Sequence, residues 1–577
     1  MMHMNRLLIF LSLIAIIALS GCGKHRDDVV RAGNGGKKFG GRYTLNEIRG
    51  NPASLDPVRI VSKLEDDIAF NLYDKLVDND HHLRVVPALA QSWEMSPDLK
   101  TYTFHLRNNA YFHDDACFPN GKGRKVIASD AKYSFERVCD PKTTTSGYWV
   151  FQDLVVGAND YFSRDTGKVH RAVKGVYGFK VIDDSTFQIE LTKPFTPFIE
   201  HLTTSFGYII PHEAIEHYGK DFFQHPVGSG AFMLDHWSPD NEILLKRNPN
   251  YWQFDDKGNR LPLLDEIRFT FMKDDKTLLQ NFEQGAEDED FTLPTESFQQ
   301  IVAPNKTLLP PYDKKYALQH VTAMNSFFID MLCSKPPFNS AALRRAMSFA
   351  IDREKLCKYV LKNAPHGPAT HGIVPPAFEQ YPIEDVHGIS FNPDSARYWL
   401  GKAGYSNPKD VPHIVFSVYN EPKMEQIAES AKEMWRTTLG LDVEIQILQA
   451  SQLLDESDDG KLMMWLTRWY ADYPEIENFL NLLNGDLVPT DPNMKSYPDN
   501  TRWKSKAFST LFDQALSTSD DAARLKLYAQ AEDVAAQEAP NIPLYYEEHY
   551  RLLQPYVRDN PLDPMNRIDL KWVWLDK

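Results

Sequence analysis

Residues 101–138 read TYTFHLRNNAYFHDDACFPNGKGRKVIASDAKYSFERV. The first six residues alternate polar and apolar side chains, the period-two pattern of a half-buried strand. A loop follows, and Ala128–Val138 then take up the 3.6-residue period of an amphipathic helix, with Asp130 as the expected N-cap. A strand answered by a helix within one stretch predicts a mixed α/β chain. The alternation recurs outward from there. Phe187–Leu191, Ile243–Leu245, Ile267–Phe271 and Ile414–Val418 predict strands. Leu343–Ala350, a segment capped by Asp394 and ending at Gly404, and Asp520–Ala536 predict helices.

At 577 residues the chain is longer than one core sustains, since single cores stop growing near roughly 250–300 residues, so two or more lobes are expected. A 42% hydrophobic composition supplies those cores and excludes a largely disordered chain. The net charge of -16 argues against nucleic acid as a partner. Catalysis has no foothold: there is no HExxH, no GxSxG and no Gly-rich dinucleotide fingerprint, and VGSG at 227–230 lacks the Lys and Ser/Thr of a phosphate loop. No cofactor is implied. The His and Cys residues show no metal-ligand spacing, and no metal site is assigned.

The N-terminus places Arg6 before the apolar run Leu7–Leu19, followed by Ser20, Gly21 and Cys22. That order reads as a signal peptide over 1–21, because the run is too short to span a bilayer. Leu19-Ser20-Gly21-Cys22 also resembles a bacterial lipobox, which implies acylation of Cys22 and attachment to a membrane through that lipid alone, on the exported side. Residues 22–40, rich in Gly, Lys, Arg and Asp, are expected to form a flexible tether. In an exported protein Cys117, Cys139, Cys333 and Cys357 can form disulfides. The local pairs Cys117/Cys139 and Cys333/Cys357 are the expected ones, the first foremost, although four cysteines allow three connectivities and spacing does not decide between them.

A series of phrases then carries a resemblance. In order they are Ser54-Leu55-Asp56-Pro57, Asn71-Leu72-Tyr73-Asp74, residues 87–94 (PALAQSWE), residues 103–107 with 111–114, residues 227–232 (VGSGAF), residues 247–252 (RNPNYW), Pro336-Pro337-Phe338 leading into 343–346, Ala350-Ile351-Asp352-Arg353, and residues 539–545 (APNIPLY). Together they resemble the family 5 extracellular solute-binding proteins, the receptors of ABC importers for oligopeptides, dipeptides and nickel. The resemblance implies a bilobal α/β fold of the periplasmic-binding-protein type, with two large lobes, a hinge and an inserted smaller subdomain. It divides the chain into lobe I (41–74), the inserted subdomain (75–211), more of lobe I (212–322), lobe II (323–548) and a return to lobe I (549–577). It implies a peptide ligand, an ABC permease as partner, a monomer and no enzymatic activity. Read on their own, Trp93, Phe104 and Trp252 are packing residues, Gly228 and Gly230 serve backbone geometry, and Arg344 and Arg345 sit on a solvated or salt-bridged helix face.

One phrase carries ligand chemistry. Residues 468–474, RWYADYP, follow the apolar run Leu462–Leu466, so aromatics and a carboxylate emerge at the end of a buried strand, where α/β proteins place their ligands. In the peptide-binding members of the family the aspartate of a similar W-x-x-D phrase pairs with the ligand's α-ammonium. The match falls on Asp472, with Trp469, Tyr470 and Ala471 beside it, and Tyr148 matches a pocket tyrosine. This chain departs from the pattern by having Leu466 where oligopeptide receptors carry an arginine. Arg468 is then the candidate cation for the ligand's carboxylate, with Lys423 as an alternative. Two other readings stay open: a receptor for another small solute such as a metal chelate, and a surface-exposed binding lipoprotein without a transport role.

Overall fold

A computed structural model describes residues 30–47, 50–165, 173–272, 274–291 and 293–577. The signal peptide, Cys22 and the start of the tether lie outside the described residues. Residues 31–40 do not form a tether. Arg31–Ala32 pairs antiparallel with Lys38–Phe39, Asn34 N donates to Asn259 Oδ1 at 2.8 Å, and Lys37 reaches Asp559 at 3.0 Å. Phe39 packs on the first core and gives this polar stretch an apolar anchor.

Strand β1 (Arg42–Glu47) leads to helix α1 (Lys63–Leu72), opened by a capping box in which Ser62 Oγ accepts from Glu65 N and the Glu65 carboxylate accepts from Ser62 N. The chain then leaves to build an antiparallel sheet from β2 (Ala90–Met95), β3 (Thr101–Leu106), β4 (Phe179–Asp183) and β5 (Thr186–Glu190), in the order β2-β3-β5-β4. The alternation in β3 has its expected result: Tyr102, Phe104 and Leu106 are buried. Helix α2 (Ala128–Val138) packs on this sheet, but Asp130 is not its N-cap. It stands three residues into the helix, where its carboxylate accepts from Ile127 N at 2.9 Å and takes both arms of the Arg124 guanidinium. The chain departs and returns side by side, with Lys75 bridged to Tyr208 and Ile209 N donating to Asp74 O at 3.0 Å.

Strands β6 (Phe232–Ser238), β7 (Glu242–Arg247) and β8 (Glu266–Phe271) then complete a sheet with β1, in which β8 and β1 run parallel. One core joins this sheet to the inserted one, from Tyr43 and Phe269 to Phe104, Phe135 and Phe187, and the C-terminal Val573 and Leu575 close it.

The remaining large sheet contains β9 (Glu289–Asp290), β10 (Ala317–Met331), β11 (Ile414–Tyr419), β12 (Val443–Leu448), β13 (Met464–Tyr470) and β14 (Asn541–Leu553), ordered β9-β14-β10-β13-β11-β12. The long pair β10 and β14 runs from Ala317 opposite Leu553 to Asp330 opposite Asn541. Leu553 belongs to the first core, whereas Phe327 and Tyr545 belong to the second, with Phe416, Trp435 and Leu466. Helices α3 (Ala341–Phe349), α4 (Pro393–Lys402) and α5 (Pro422–Leu439) cover the second core, and α6 (Asp521–Glu538) covers a third around Phe479, Phe512 and Tyr528. Asn392, not Asp394, caps α4, its side chain accepting from Ser395 N at 2.9 Å ahead of Pro393.

Two further expectations are corrected. Arg344 is only 3% exposed and lies on no solvated face; its guanidinium donates to the carbonyls of Phe338, Glu538 and Ala539. All four described cysteines are free. Cys139, at the end of α2, is buried in the first core, while Cys117 sits on a loop held by Asp115. Cys357 belongs to the second core and Cys333 packs on the third. Burial pushes the Cys117, Cys333 and Cys357 thiols up to about 12.

Candidate ligand site

Strand β13 buries Met464, Trp465 and Leu466, then emerges at Trp469 and Tyr470. Ala471 N donates to Met324 O at 3.0 Å and extends the pairing with β10 by one residue. On its other side β13 is paired with β11 only at Met464 and Trp465. From Leu466 to Trp469 that edge has no ladder partner among the described residues, and its backbone is available to an added strand.

Asp472 ends this segment. Asn478, six residues on, ties the turn together: its Oδ1 accepts from Trp469 Nε1 at 2.8 Å and from Asp472 N at 3.1 Å, and its Nδ2 donates to the Asp472 carboxylate at 3.4 Å. No basic side chain pairs with that carboxylate among the described residues. It meets the water of the cleft, yet protein surrounds its other sides. This enclosure raises its pKa to about 6, opposed by the Asn478 amide. Behind it Tyr473 Oη donates to Glu477 at 2.5 Å, and burial pushes the Glu477 carboxyl up to about 8.

Tyr470, Ala471 and Asp472 form one wall of a cavity of about 550 Å³. Val61, Phe70, Trp149, Thr204 and Arg567 face them from the first body. A second cavity of about 420 Å³ adjoins it and shares Phe291, Tyr470 and His549 with it. The first cavity is closed at one side by aromatic contacts across the cleft. Trp149 stacks on Tyr473 with centroids 5.9 Å apart and planes at 22°, and the His201 ring lies 4.6 Å from the same tyrosine.

The expected residues divide. Asp472, Ala471 and Tyr470 stand together on the wall of the cleft, and the Trp469 indole braces them through Asn478. Tyr148 does not line the cleft: its ring stacks on Phe162 at 3.8 Å and its hydroxyl donates to Asn159 at 2.6 Å. The short helical turn Tyr148–Val150 sends its neighbour Trp149 there instead. Arg468 lines neither cavity. Its guanidinium lies over the Phe327 ring at 5.7 Å and the Tyr470 ring at 5.2 Å. The alternative cation, Lys423, does line the second cavity, 3.6 Å from Glu547, which also accepts from Tyr470 Oη at 3.0 Å. Asn478, Trp149 and Phe291 are absent from the reading of the sequence. Only Trp149 has a signal there, as the aromatic next to Tyr148. Among the described residues no group of three or more His, Cys, Asp or Glu side chains is placed to hold a metal ion.

Comparison with known proteins agrees with this architecture. The chain is 27% identical to the periplasmic oligopeptide-binding protein OppA of Salmonella typhimurium over 94% of each chain. It is 28% identical to the probable deoxycholate-binding periplasmic protein YgiS of Escherichia coli, over 91% of this chain and 92% of that one. Its structure matches the unliganded open form of the murein tripeptide binding protein MppA with a TM-score of 0.72 at 23% identity, covering 95% of this chain and 99% of that one. It also matches DppA of Helicobacter pylori in complex with the peptide STSA with a TM-score of 0.73 at 22% identity, covering 93% and 99%. These structural likenesses establish the periplasmic-binding-protein fold. The family model for the bacterial extracellular solute-binding proteins, family 5, matches residues 84–488. The chain therefore belongs to family 5 of the bacterial extracellular solute-binding proteins, which bind solutes and are not enzymes.

Proposed function

We propose that this protein is the substrate-binding component of an ABC importer and that it captures peptides by their free α-ammonium group. The carrying observation is Asp472: an exposed carboxylate on the wall of the cleft, at the end of strand β13, with no basic side chain beside it among the described residues. Closing the cleft over such a charge would be costly unless a cation completes it, and a ligand ammonium does so through a charge-assisted hydrogen bond. The β13 edge from Leu466 to Trp469 then offers main-chain partners to an extended peptide whatever its side chains. Relatives named for oligopeptides and a solved relative holding the peptide STSA support this reading. An anionic ligand such as deoxycholate, for which another relative is named, would meet the Asp472 carboxylate unfavourably.

Asp472→Asn keeps the shape and removes the charge. Calorimetry should show affinity for a free-amine peptide falling by about 2–5 kcal/mol, which is about 30-fold or more, and a similar loss in the native protein when the peptide is N-acetylated. Undiminished binding of the free-amine peptide by the variant would remove the ammonium anchor.

In this reading segments 41–74, 212–322 and 549–577 form lobe I, 75–211 the inserted subdomain and 323–548 lobe II. Acylation at Cys22 holds the exported protein to its membrane. Cys22→Ala should move it to the soluble exported fraction, and retention on membranes after a salt wash would count against the anchor.

A further inference from the structure

The second cavity opens beside the anchor without containing it. Tyr470 stands where the two cavities meet, its hydroxyl bonded to Glu547 of the second, and it lies two residues before Asp472. Along an extended strand that is roughly 6.6 Å, so a peptide held by its amine at Asp472 reaches the second cavity only after its first residue.

The walls of that cavity are of two kinds. One is apolar: Phe291, Leu293, Phe298, Leu361, Pro365 and Tyr550, with Phe298 set edge-on against Tyr550 at 4.9 Å. The other carries charge that is already engaged. Glu547 takes Lys423, the Tyr470 hydroxyl and the Asn325 amide. Glu548 takes Lys306 at 2.9 Å, His320 at 2.6 Å and His366 at 3.1 Å. A charged ligand side chain would have to displace these pairs; Lys362 and Gln426 are further polar side chains of the lining, and the largest continuous wall is apolar. Burying apolar area is then the main source of selectivity at this position.

We infer that the second cavity is a side-chain pocket that selects peptides carrying a large apolar residue, such as phenylalanine or leucine, after the first position. This rests on the peptide reading above and adds a preference to it.

The test is calorimetry with triglycine, Phe-Gly-Gly, Gly-Phe-Gly, Gly-Gly-Phe and Gly-Asp-Gly, on the native protein and on Ala364→Trp, which narrows the cavity from its wall. In the native protein, phenylalanine at the second or third position should raise affinity over triglycine by about 10-fold or more, at the first position by much less, and aspartate should gain less than phenylalanine. In A364W the ratio of the phenylalanine peptide to triglycine should collapse toward one. Equal binding of all five peptides by the native protein, or a gain confined to the first position, overturns the pocket while leaving peptide capture standing. An undiminished ratio in a folded A364W also overturns it. Binding of none of the peptides brings down the peptide reading and this inference with it. If A364W does not fold, the native peptide series decides alone.

Discussion

Enclosure by the cleft walls holds the Asp472 carboxyl near pH 6, well above an ordinary aspartate. With Asp472 as the proposed anchor, only its ionised form receives an ammonium, so a proton and the ligand compete for the same oxygens. As pH falls from 7 through 6, apparent affinity for a free-amine peptide should drop, approaching about tenfold per pH unit once the carboxyl is mostly protonated. Above about pH 8 the peptide's own α-amine loses its proton and affinity should fall again. Calorimetry between pH 5 and 8.5 should trace this bell, and an affinity flat from pH 7 to 5 would show that the carboxylate does not meet the ligand's charge. The sign for the ligand-free fold follows from the same shift. A carboxyl whose pKa is raised on folding contributes stability that is present below its unfolded value near 4 and is lost as pH rises through about 6. Asp472→Asn should remove both dependences. The residue is legible in the sequence because an apolar run ending in W-x-x-D marks a strand end. Asn478 is not, because its role exists only once the turn folds back over six residues.

At the scale of elements, phrases scattered through the sequence meet. Asp74, just past α1, accepts from Ser229 Oγ at 2.9 Å, Trp252 Nε1 at 3.0 Å and Tyr251 Oη at 3.1 Å. Three of the family phrases, at 71–74, 227–232 and 247–252, are thus one buried hydrogen-bonded junction between α1, β6 and the turn after β7. Gly230 lets them close, since a Cβ there would lie 2.5 Å from the carbonyl carbon of Leu72. Burial raises the Asp74 carboxyl to about 6, although the three donors oppose the shift. Asp74→Ala would leave the Ser229 and Trp252 donors without their acceptor and Tyr251 with only Gln253 Oε1 at 3.4 Å, and should destabilise the protein by about 2–5 kcal/mol, measured by denaturant unfolding; a loss under about 0.5 kcal/mol would show that water replaces the carboxylate. The sequence presents these residues in recognisable order, but their common partner is a matter of tertiary folding. Helices and strands were legible from period alone, whereas caps were not: Asp130 and Asp394 each stand inside the helix they were expected to open, because Pro393 and the Arg124 pair fix the true starts elsewhere. The expected Cys333/Cys357 pair fails for a related reason, since spacing along the chain does not show that the two pack on different cores.

Across the whole molecule, the two bodies are joined by the continuous strands β10 and β14 and meet again at the far side of the cleft. There Thr196 donates from its backbone to Leu516 O at 2.9 Å and from its hydroxyl to Thr518 O at 3.2 Å, while Trp149 and His201 enclose Tyr473. Tyr473 follows Asp472 directly, so the side chain that receives the other body is fixed to the one proposed to receive the ammonium. Closure and capture are then two readouts of one turn, and apparent affinity scales with the closed fraction. Trp149→Ala removes the stacked partner. Such pairs contribute about 0.5–1.5 kcal/mol beyond the area they bury, so peptide affinity should weaken by about 2- to 12-fold from this contact. Because Trp149 also lines the cleft, affinity alone does not separate closure from direct contact. His201→Ala tests the junction without deleting a cavity-lining side chain, since that ring touches Tyr473, and Trp149 edge-on at 5.4 Å, without lining either cavity. Both variants should weaken binding, and both should leave a larger radius of gyration in small-angle scattering at sub-saturating peptide. If His201→Ala closes and binds like the native protein while Trp149→Ala does not, the tryptophan acts as a ligand contact and the aromatic junction is not what couples the bodies.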